Sequence, residues 1–383
     1  MHNPSLTAPT PTSPVIRLLL IIPSLDESGA EKQLALLATG LPRDQFDVRV
    51  AVLTRTGPYA EQLTAAGIPI DLLHKRFKFD PVTIWKLRSL IRSWKPDLIH
   101  TWLFAGNTYG RLVAGAPSGP PVIVSERCVD SWKARWQLWL DRKLVNRTTL
   151  LVGNSQPVVD FYRQFGYDDS RLRVIRNGLP LDPTPPPPHP DRENLRRQWS
   201  DNHPDPFIFG FVGRLAPQKR IEDLIWAAEL LKSARDNAYL VVAGDGPLRN
   251  DLRKFADYFG LQKRVTLLGH RHDARELLTC FDAFALASDF EGQSNSLMEA
   301  MGAGLPVLAT DIPPNRELVT HDETGIIFPV GERVVLARQI NRLAANPEEC
   351  RRLGTAARQK MLDDFSVDRM VKEYAELYRQ TIK

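Results

Sequence analysis

A chain of 383 residues, 43% hydrophobic and 25% charged, is too long for one ordinary core and too regularly apolar for wholesale disorder, so two domains are expected. Its three cysteines, Cys128, Cys280 and Cys350, are odd in number and far apart, which argues against a disulfide scaffold or a zinc pair and for a reducing, cytoplasmic setting. The net charge of +5 hides a basic half: residues 1–180 hold 23 Lys plus Arg against 15 Asp plus Glu, a charge of +8, and six of the eight Trp, leaving −3 for the rest. Such a half suits an anionic membrane surface, a phosphorylated lipid or nucleic acid, and equally a merely solvated face.

Residues 1–14 are rich in Thr, Pro and Ser, without the basic and apolar regions of a secretory signal, and read as a loose tail. The apolar run 15–22 contains Arg17 and stops at Pro23, far short of the ~20 residues of a membrane helix. It reads as a strand, followed by Ser28-Gly29-Ala30-Glu31 and by Leu34, Leu37, Ala38 and Leu41 at helical spacing. The rhythm continues through a strand at 48–53, a helix from Tyr59, a helix at 85–94 and a strand at 98–100. Further strands follow at 121–125 and 150–153, with the Trp- and Arg-rich stretch 131–143 between them. Apolar runs without polar alternation need cover on both faces, so a buried parallel sheet is expected.

After Val174-Ile175-Arg176-Asn177-Gly178 comes a proline run, 183–190, which cannot enter a helix interior or a central strand and reads as a stiff extended linker. A domain boundary is placed near 180. Strands at 207–212, 239–243, 265–268, 283–286 and 306–309 restart the alternation, so the second half is another doubly wound α/β domain. The last segment, 367–382, puts Met370, Val371, Tyr374, Leu377 and Tyr378 on one helical face that must pack on something.

In open α/β sheets ligands sit beyond the carboxyl ends of the strands, so the loops there are searched first. After the strand 207–212, Gly213 is followed by Arg214 and Lys219, a guanidinium fork and a compact ammonium that suit a diphosphate, or else two solvated loop cations. After 283–286 come Glu291, Gly292, Gln293, Ser294, Asn295 and Glu299. Glu291 and Glu299 on one continuous helix would be separated by about 12 Å. The spacing therefore predicts Glu291 in a loop and a helix starting near Ser294 or Asn295, whose first amides can face phosphate. Glu291 would accept hydrogen bonds from sugar hydroxyls and Glu299 from a ribose; the bland alternative is a capping carboxylate and a solvated one. Gly244-Asp245-Gly246-Pro247 makes a tight turn but lacks the third glycine of a dinucleotide fingerprint, since Arg249 stands there, so it is read as structural.

Gly213-Arg214-Leu215 with Lys219, Gly244-Asp245-Gly246-Pro247, Glu291-Gly292 through Glu299-Ala300-Met301, and Gly304-Leu305-Pro306-Val307 together resemble the retaining nucleotide-sugar glycosyltransferases of family 4. In the first half, Ser28-Gly29-Ala30-Glu31, Asn154-Ser155 and residues 174–178 extend the resemblance over nearly the whole chain. It implies a GT-B fold, two doubly wound Rossmann-like domains facing across a cleft: 15–180 on the acceptor side, 181–365 holding the nucleotide sugar, and a helix at 366–383 crossing back onto the first. It implies that Arg214 and Lys219 hold the donor diphosphate, that Glu291 contacts the sugar and Glu299 the ribose, and that amides of Gly292 to Asn295 and Gly29 approach the donor. A nucleobase contact falls near Gly269 to Arg271. No metal and no cofactor is implied, the nucleotide sugar being a substrate, and His270 and His272 are read as loop residues.

The sequence departs from the family pattern at Ser28, where a glycine is usual, at Gln293-Ser294, where Phe-Gly is common, and at Ser125-Glu126-Arg127, where many members carry a His. Glu126, Arg127 and the strand-end His100 are the acceptor-side candidates. The expected reaction is metal-independent, retaining transfer from a UDP- or GDP-linked sugar to a hydroxyl, such as a polyprenyl-diphosphate-linked glycan in cell-surface polysaccharide assembly. The basic, Trp-bearing stretches 77–95 and 131–143 would dock on the inner face of the plasma membrane, or else their Trp residues are core. The rivals are a non-catalytic nucleotide-sugar sensor and a sugar-nucleotide epimerase. Nucleic acid is set aside because no recognition motif accompanies the basic bias.

Overall fold

The structure, a computed structural model, describes residues 14–115, 119–131 and 133–382; the expected loose tail lies, apart from Pro14, outside them. Thirteen strands are found among these residues. The first seven, β1 (Ile16–Ser24), β2 (Phe46–Arg55), β3 (Ile70–Leu72), β4 (Leu98–Trp102), β5 (Val122–Glu126), β6 (Leu150–Gly153) and β7 (Leu172–Val174), form one parallel sheet in the order 3-2-1-4-5-6-7. The other six, β8 (Phe207–Val212), β9 (Ala238–Ala243), β10 (Val265–Gly269), β11 (Ala283–Leu286), β12 (Val307–Thr310) and β13 (Ile326–Phe328), form a second, in the order 10-9-8-11-12-13. Leu18 to Ile22 of β1 and every residue of β8, β9 and β11 are buried, which is why these segments show apolar runs rather than alternation.

The chain divides into two compact units. One runs through Asn154 and adds Val158–Ile175 and everything from Met370 onward; the other is Ser155–Pro157 with Arg176–Arg369. In each sheet the strand order reverses beside the first strand, between β1 and β4 and between β8 and β11. A crevice opens at such a switch point because the loops leave it in opposite directions.

Three strands escaped the sequence reading, β3, β7 and β13. All have three residues and lie at sheet edges, too short to display a period. A helix, Leu103–Ala114, was also missed. It starts directly after β4 with Leu103 at φ 61°, and it contains Gly106 and Gly110, residues that disfavour a helix interior. They serve close packing instead: a Cβ on Gly106 would stand 2.9 Å from the Ile21 carbonyl oxygen.

The proline run is not a free tether. It belongs to the second unit, where Arg358 Nη2 donates to the carbonyls of Asp182 and Thr184, both at 2.6 Å, and the His189 amide donates to Thr279 Oγ1 at 2.9 Å. An extended Pro-rich chain leaves its carbonyls unpaired, and one guanidinium can collect two. The last helix, Val367–Thr381, buries Met370, Val371, Tyr374, Leu377 and Tyr378, and Tyr378 Oη reaches His100 Nδ1 at 2.7 Å inside the first unit. Among the described residues no helix is long and apolar enough to cross a membrane.

Candidate functional site

In the second unit β8 and β11 pair directly, Phe209 with Ala283 and Gly210 with Phe284, so the loops beyond their carboxyl ends run side by side. Several contacts stitch them. The Asp289 amide donates to the Gln218 carbonyl at 2.9 Å, Gln218 Nε2 donates to the Phe290 carbonyl at 2.6 Å, and Lys219 Nζ meets Glu291 Oε1 at 2.5 Å. The side chains of Lys219 and Glu291 keep 16% and 8% of their surface exposed, so the pair is largely out of water and its charges act through a low dielectric. Arg214 on the same loop is exposed and has no ion-pair partner among the described residues. Arg220 is committed elsewhere: at φ 47° it binds Asp223 at 2.7 Å and Asp289 at 3.3 Å, and Asp223 also takes Arg333 at 2.6 Å. One loop thus carries a free guanidinium, an ammonium shared with a carboxylate, and a structural arginine.

The Gly-Asp-Gly-Pro turn holds the Arg214 loop in place. Gly244 has φ 146°, and a Cβ on it would stand 1.8 Å from the Gly213 carbonyl oxygen, so only glycine fits there. The Leu215 amide donates to the Asp245 carbonyl at 2.9 Å and the Gly244 amide to the Gly269 carbonyl at 2.8 Å. Gly213, Gly244 and Gly269 are therefore laced across the ends of β8, β9 and β10. Arg271, expected near a nucleobase, is paired with Asp273 through Nε at 2.7 Å and Nη2 at 2.5 Å. That bond, with help from His189, holds the Asp273 carboxyl down at about 2.

The helix Asn295–Gly302 starts where the spacing predicts. Ser294 caps it, its Oγ accepting from the Leu297 amide at 3.4 Å. Glu291, Gln293 and Ser294 are buried in the preceding loop, Gly292 with them, while Asn295 and Glu299 are half-buried on the helix. A residue that sequence reasoning did not single out organises this loop. The Asn177 amide donates to Gln293 Oε1 at 2.6 Å, and Asn177 Nδ2 donates to the Gln293 carbonyl at 3.2 Å and to Asn295 Oδ1 at 2.9 Å. Asn177 was visible only as part of a recurring motif, and a contact spanning 116 residues leaves no local pattern.

The acceptor-side candidates of the first unit have settings different from those expected of them. His100 has no exposed surface, lies between Tyr378 Oη at 2.7 Å and Ser125 Oγ at 2.8 Å, and is held well below the ordinary imidazole range by burial and by Arg127. It is a neutral core residue. Arg127 stacks on the Trp102 ring at 4.0 Å, where burial lowers its pKa. Glu126 is buried with Asp130, Lys133 and Asp141; it accepts from Asn107 Nδ2 at 2.9 Å and lies 3.5 Å from Lys133 Nζ. At Gly29, which opens the helix Gly29–Gly40, the adjacent Ser28 hydroxyl donates to Glu31 Oε2.

Residues 28–183 match the family described as Glycosyltransferase Family 4, and residues 191–360 match Glycosyl transferases group 1. The chain belongs to the family 4 glycosyltransferases of GT-B fold. A relative of this glycosyltransferase, the putative glycosyltransferase EpsD of Bacillus subtilis, is 28% identical over 87% of this chain and 89% of its own. The UDP-Gal:alpha-D-GlcNAc-diphosphoundecaprenol alpha-1,3-galactosyltransferase of Escherichia coli is 26% identical over 88% and 90%. The crystal structure of Anabaena HepE in complex with UDP-glucose superposes with a TM-score of 0.85 at 23% identity, covering 95% of this chain and all of that one.

The buried cluster gives this glycosyltransferase a stability that depends on pH. Desolvation, opposed by Lys133 and reinforced by Asp130 and Asp141, pushes the Glu126 carboxyl up to about 8. Between the ordinary carboxyl range and pH 8 the unfolded chain releases a proton that the folded chain retains, so stability falls as pH rises, by at most about 1.4 kcal/mol per pH unit. Glu126→Gln removes this titration, and its urea midpoint should decline less than the wild type's across that window. Parallel declines would show that Glu126 does not carry the effect.

Proposed function

We propose that this glycosyltransferase moves a sugar from a nucleotide diphosphate to a hydroxyl acceptor with retention at the anomeric carbon and without a metal ion. The observation that carries the reading is the Lys219–Glu291 pair where β8 and β11 end, with the unpaired cation Arg214 on the same loop. As the bond between the anomeric carbon and the phosphate oxygen breaks, its electron pair stays with the diphosphate. Arg214, Lys219 and the amides at the start of the helix Asn295–Gly302 offset that charge. The acceptor oxygen bonds to the same carbon from the same face, and its proton passes to the departing phosphate oxygen. Glu291 accepts hydrogen bonds from the sugar and Glu299 from the ribose, while Asn177 holds the loop between them.

Relatives support a uridine donor and a lipid-linked acceptor. The Escherichia coli relative's name specifies UDP-Gal and a diphosphoundecaprenol-linked GlcNAc, and HepE was crystallised with UDP-glucose. GDP-mannose-dependent relatives keep the purine donor in the panel. We read the acceptor as a lipid-linked glycan intermediate of cell-surface polysaccharide, reached by a cytoplasmic enzyme at the inner face of the plasma membrane.

The test is a panel of UDP- and GDP-sugars assayed for nucleotide release, with and without membrane-derived acceptor, in EDTA. Expected is release that requires acceptor, is undiminished by chelation, and yields a product whose anomeric configuration by NMR matches the donor. An inverted product, a free sugar isomer, or binding without turnover would overturn the reading.

A further inference from the structure

Between residues 74 and 95 lie seven Lys or Arg and one acid, Asp80. Asp80 is buried and consumed locally, its carboxylate accepting from the amides of Arg76 at 2.9 Å and Val82 at 3.0 Å. The solvent-facing side therefore carries no negative charge. It does carry four large apolar side chains: Phe77, Phe79, Val82 and Trp85 are 69%, 64%, 59% and 68% exposed. These are not misplaced core residues. The helix Pro81–Trp94 already buries Thr83 and Leu87 and packs Ile84, Leu90, Ile91 and Trp94 against the core, and Val82 and Trp85 stand on its other face, one turn apart.

The loop that presents the two phenylalanines is pinned at both ends. The Lys75 amide donates to the Leu53 carbonyl at 2.6 Å, Tyr109 Oη donates to the Lys78 carbonyl at 3.3 Å, and the Asp80 amide donates to Tyr109 Oη at 2.6 Å. Little ordering entropy remains to be lost when the surface is covered. Beside it, Thr54, His74, Lys75 and Arg76 line a depression of 470 Å³, and His74 sits at φ 57°, an uncommon backbone state for a bulky residue.

We infer that this surface docks on an anionic bilayer, with Phe77, Phe79, Val82 and Trp85 entering the interface and Arg76, Lys78 and Arg88 meeting lipid phosphates. Aromatic side chains favour the headgroup boundary, and cations gain there from the negative surface potential. A protein partner would need acids opposite these cations together with a matching apolar face. A bilayer supplies both without shape complementarity, which suits a surface that projects outward around one shallow depression. The inference does not rest on the proposed donor or acceptor, since it is read without either.

The experiment is flotation of the full chain with vesicles of phosphatidylcholine alone or mixed with phosphatidylglycerol, at low and high salt. The wild type is expected to float with the mixed vesicles, and salt should release it. Phe77→Ser/Trp85→Ser is expected to lower partitioning at least about tenfold, given the apolar area withdrawn from water. Arg76→Glu/Lys78→Glu should abolish the preference for the anionic lipid. Both variants alter exposed side chains, so their melting temperatures should match the wild type's. Equal binding to the two vesicle types, undiminished flotation of the variants, or no flotation of the wild type would overturn the inference. So would a change of sedimentation mass in the Phe77→Ser/Trp85→Ser variant, which would assign the face to self-association.

Discussion

Lys219→Ala is expected to lower kcat for sugar transfer by about 10²–10³-fold, the cost of deleting one preorganised charge that faces a developing anion. Lys219 Nζ is held 2.5 Å from Glu291 Oε1 and is mostly shielded from water, so it reaches the reaction already oriented and little solvent competes with it. The substitution also strands the Glu291 carboxylate in a buried loop, and that alone would disturb the site. Lys219→Ala/Glu291→Gln removes the unpaired charge and should restore the melting temperature, and Glu291→Gln alone reads how much of the lost transfer belongs to the sugar contact rather than to Lys219. Steady-state kinetics with the donor found by the panel, alongside calorimetric binding of the free nucleotide, provide the measurement. Wild-type kcat in Lys219→Ala would remove the central support of the mechanism.

Lys133→Met is expected to destabilise the first unit by about 3–5 kcal/mol, as does breaking a buried ion network by removing one partner. Lys133 Nζ lies 2.8 Å from Asp130, 3.1 Å from Asp141 and 3.5 Å from Glu126, and all four side chains are nearly inaccessible. Those carboxylates raise the Lys133 pKa above its ordinary value even though desolvation pulls the other way. Without it, Arg111 remains in place 2.5 Å from Asp141, leaving Glu126 and Asp130 without a charged partner. Lys133 is the charge that opposes the rise of the Glu126 carboxyl, so without it Glu126 holds its proton to still higher pH and the loss should deepen as pH rises. Lys133→Met/Asp130→Asn should recover part of it. Urea unfolding at several pH values reads the effect, and a loss under about 1 kcal/mol would mean that the network contributes little.

The fold class was legible because it is written in short-range patterns. The apolar runs of β1, β8, β9 and β11 and the helical spacing in 367–382 each follow from the burial of neighbours a few residues apart. The helix start near Ser294 was legible for the same reason, a small polar cap before an apolar repeat. What escaped was either too short to show a period, as in β3, β7 and β13, or disguised by glycines, as in Leu103–Ala114.

Lys219 and Glu291 were both selected from sequence, as a cation for phosphate and an acid for sugar, but nothing local says that they touch. That follows from β8 lying beside β11, a matter of strand order. The same long-range geometry turned His100 into a neutral core residue, closed Arg271 onto Asp273, and brought Asn177 to Gln293. The amino-acid sequence by itself determined two parallel α/β units and the chemical types available at their strand ends, because periodicity and burial act within one element. Only the tertiary structure decided which of those groups are paired, buried or free, because charge partners and desolvation come from segments that the chain order does not place together.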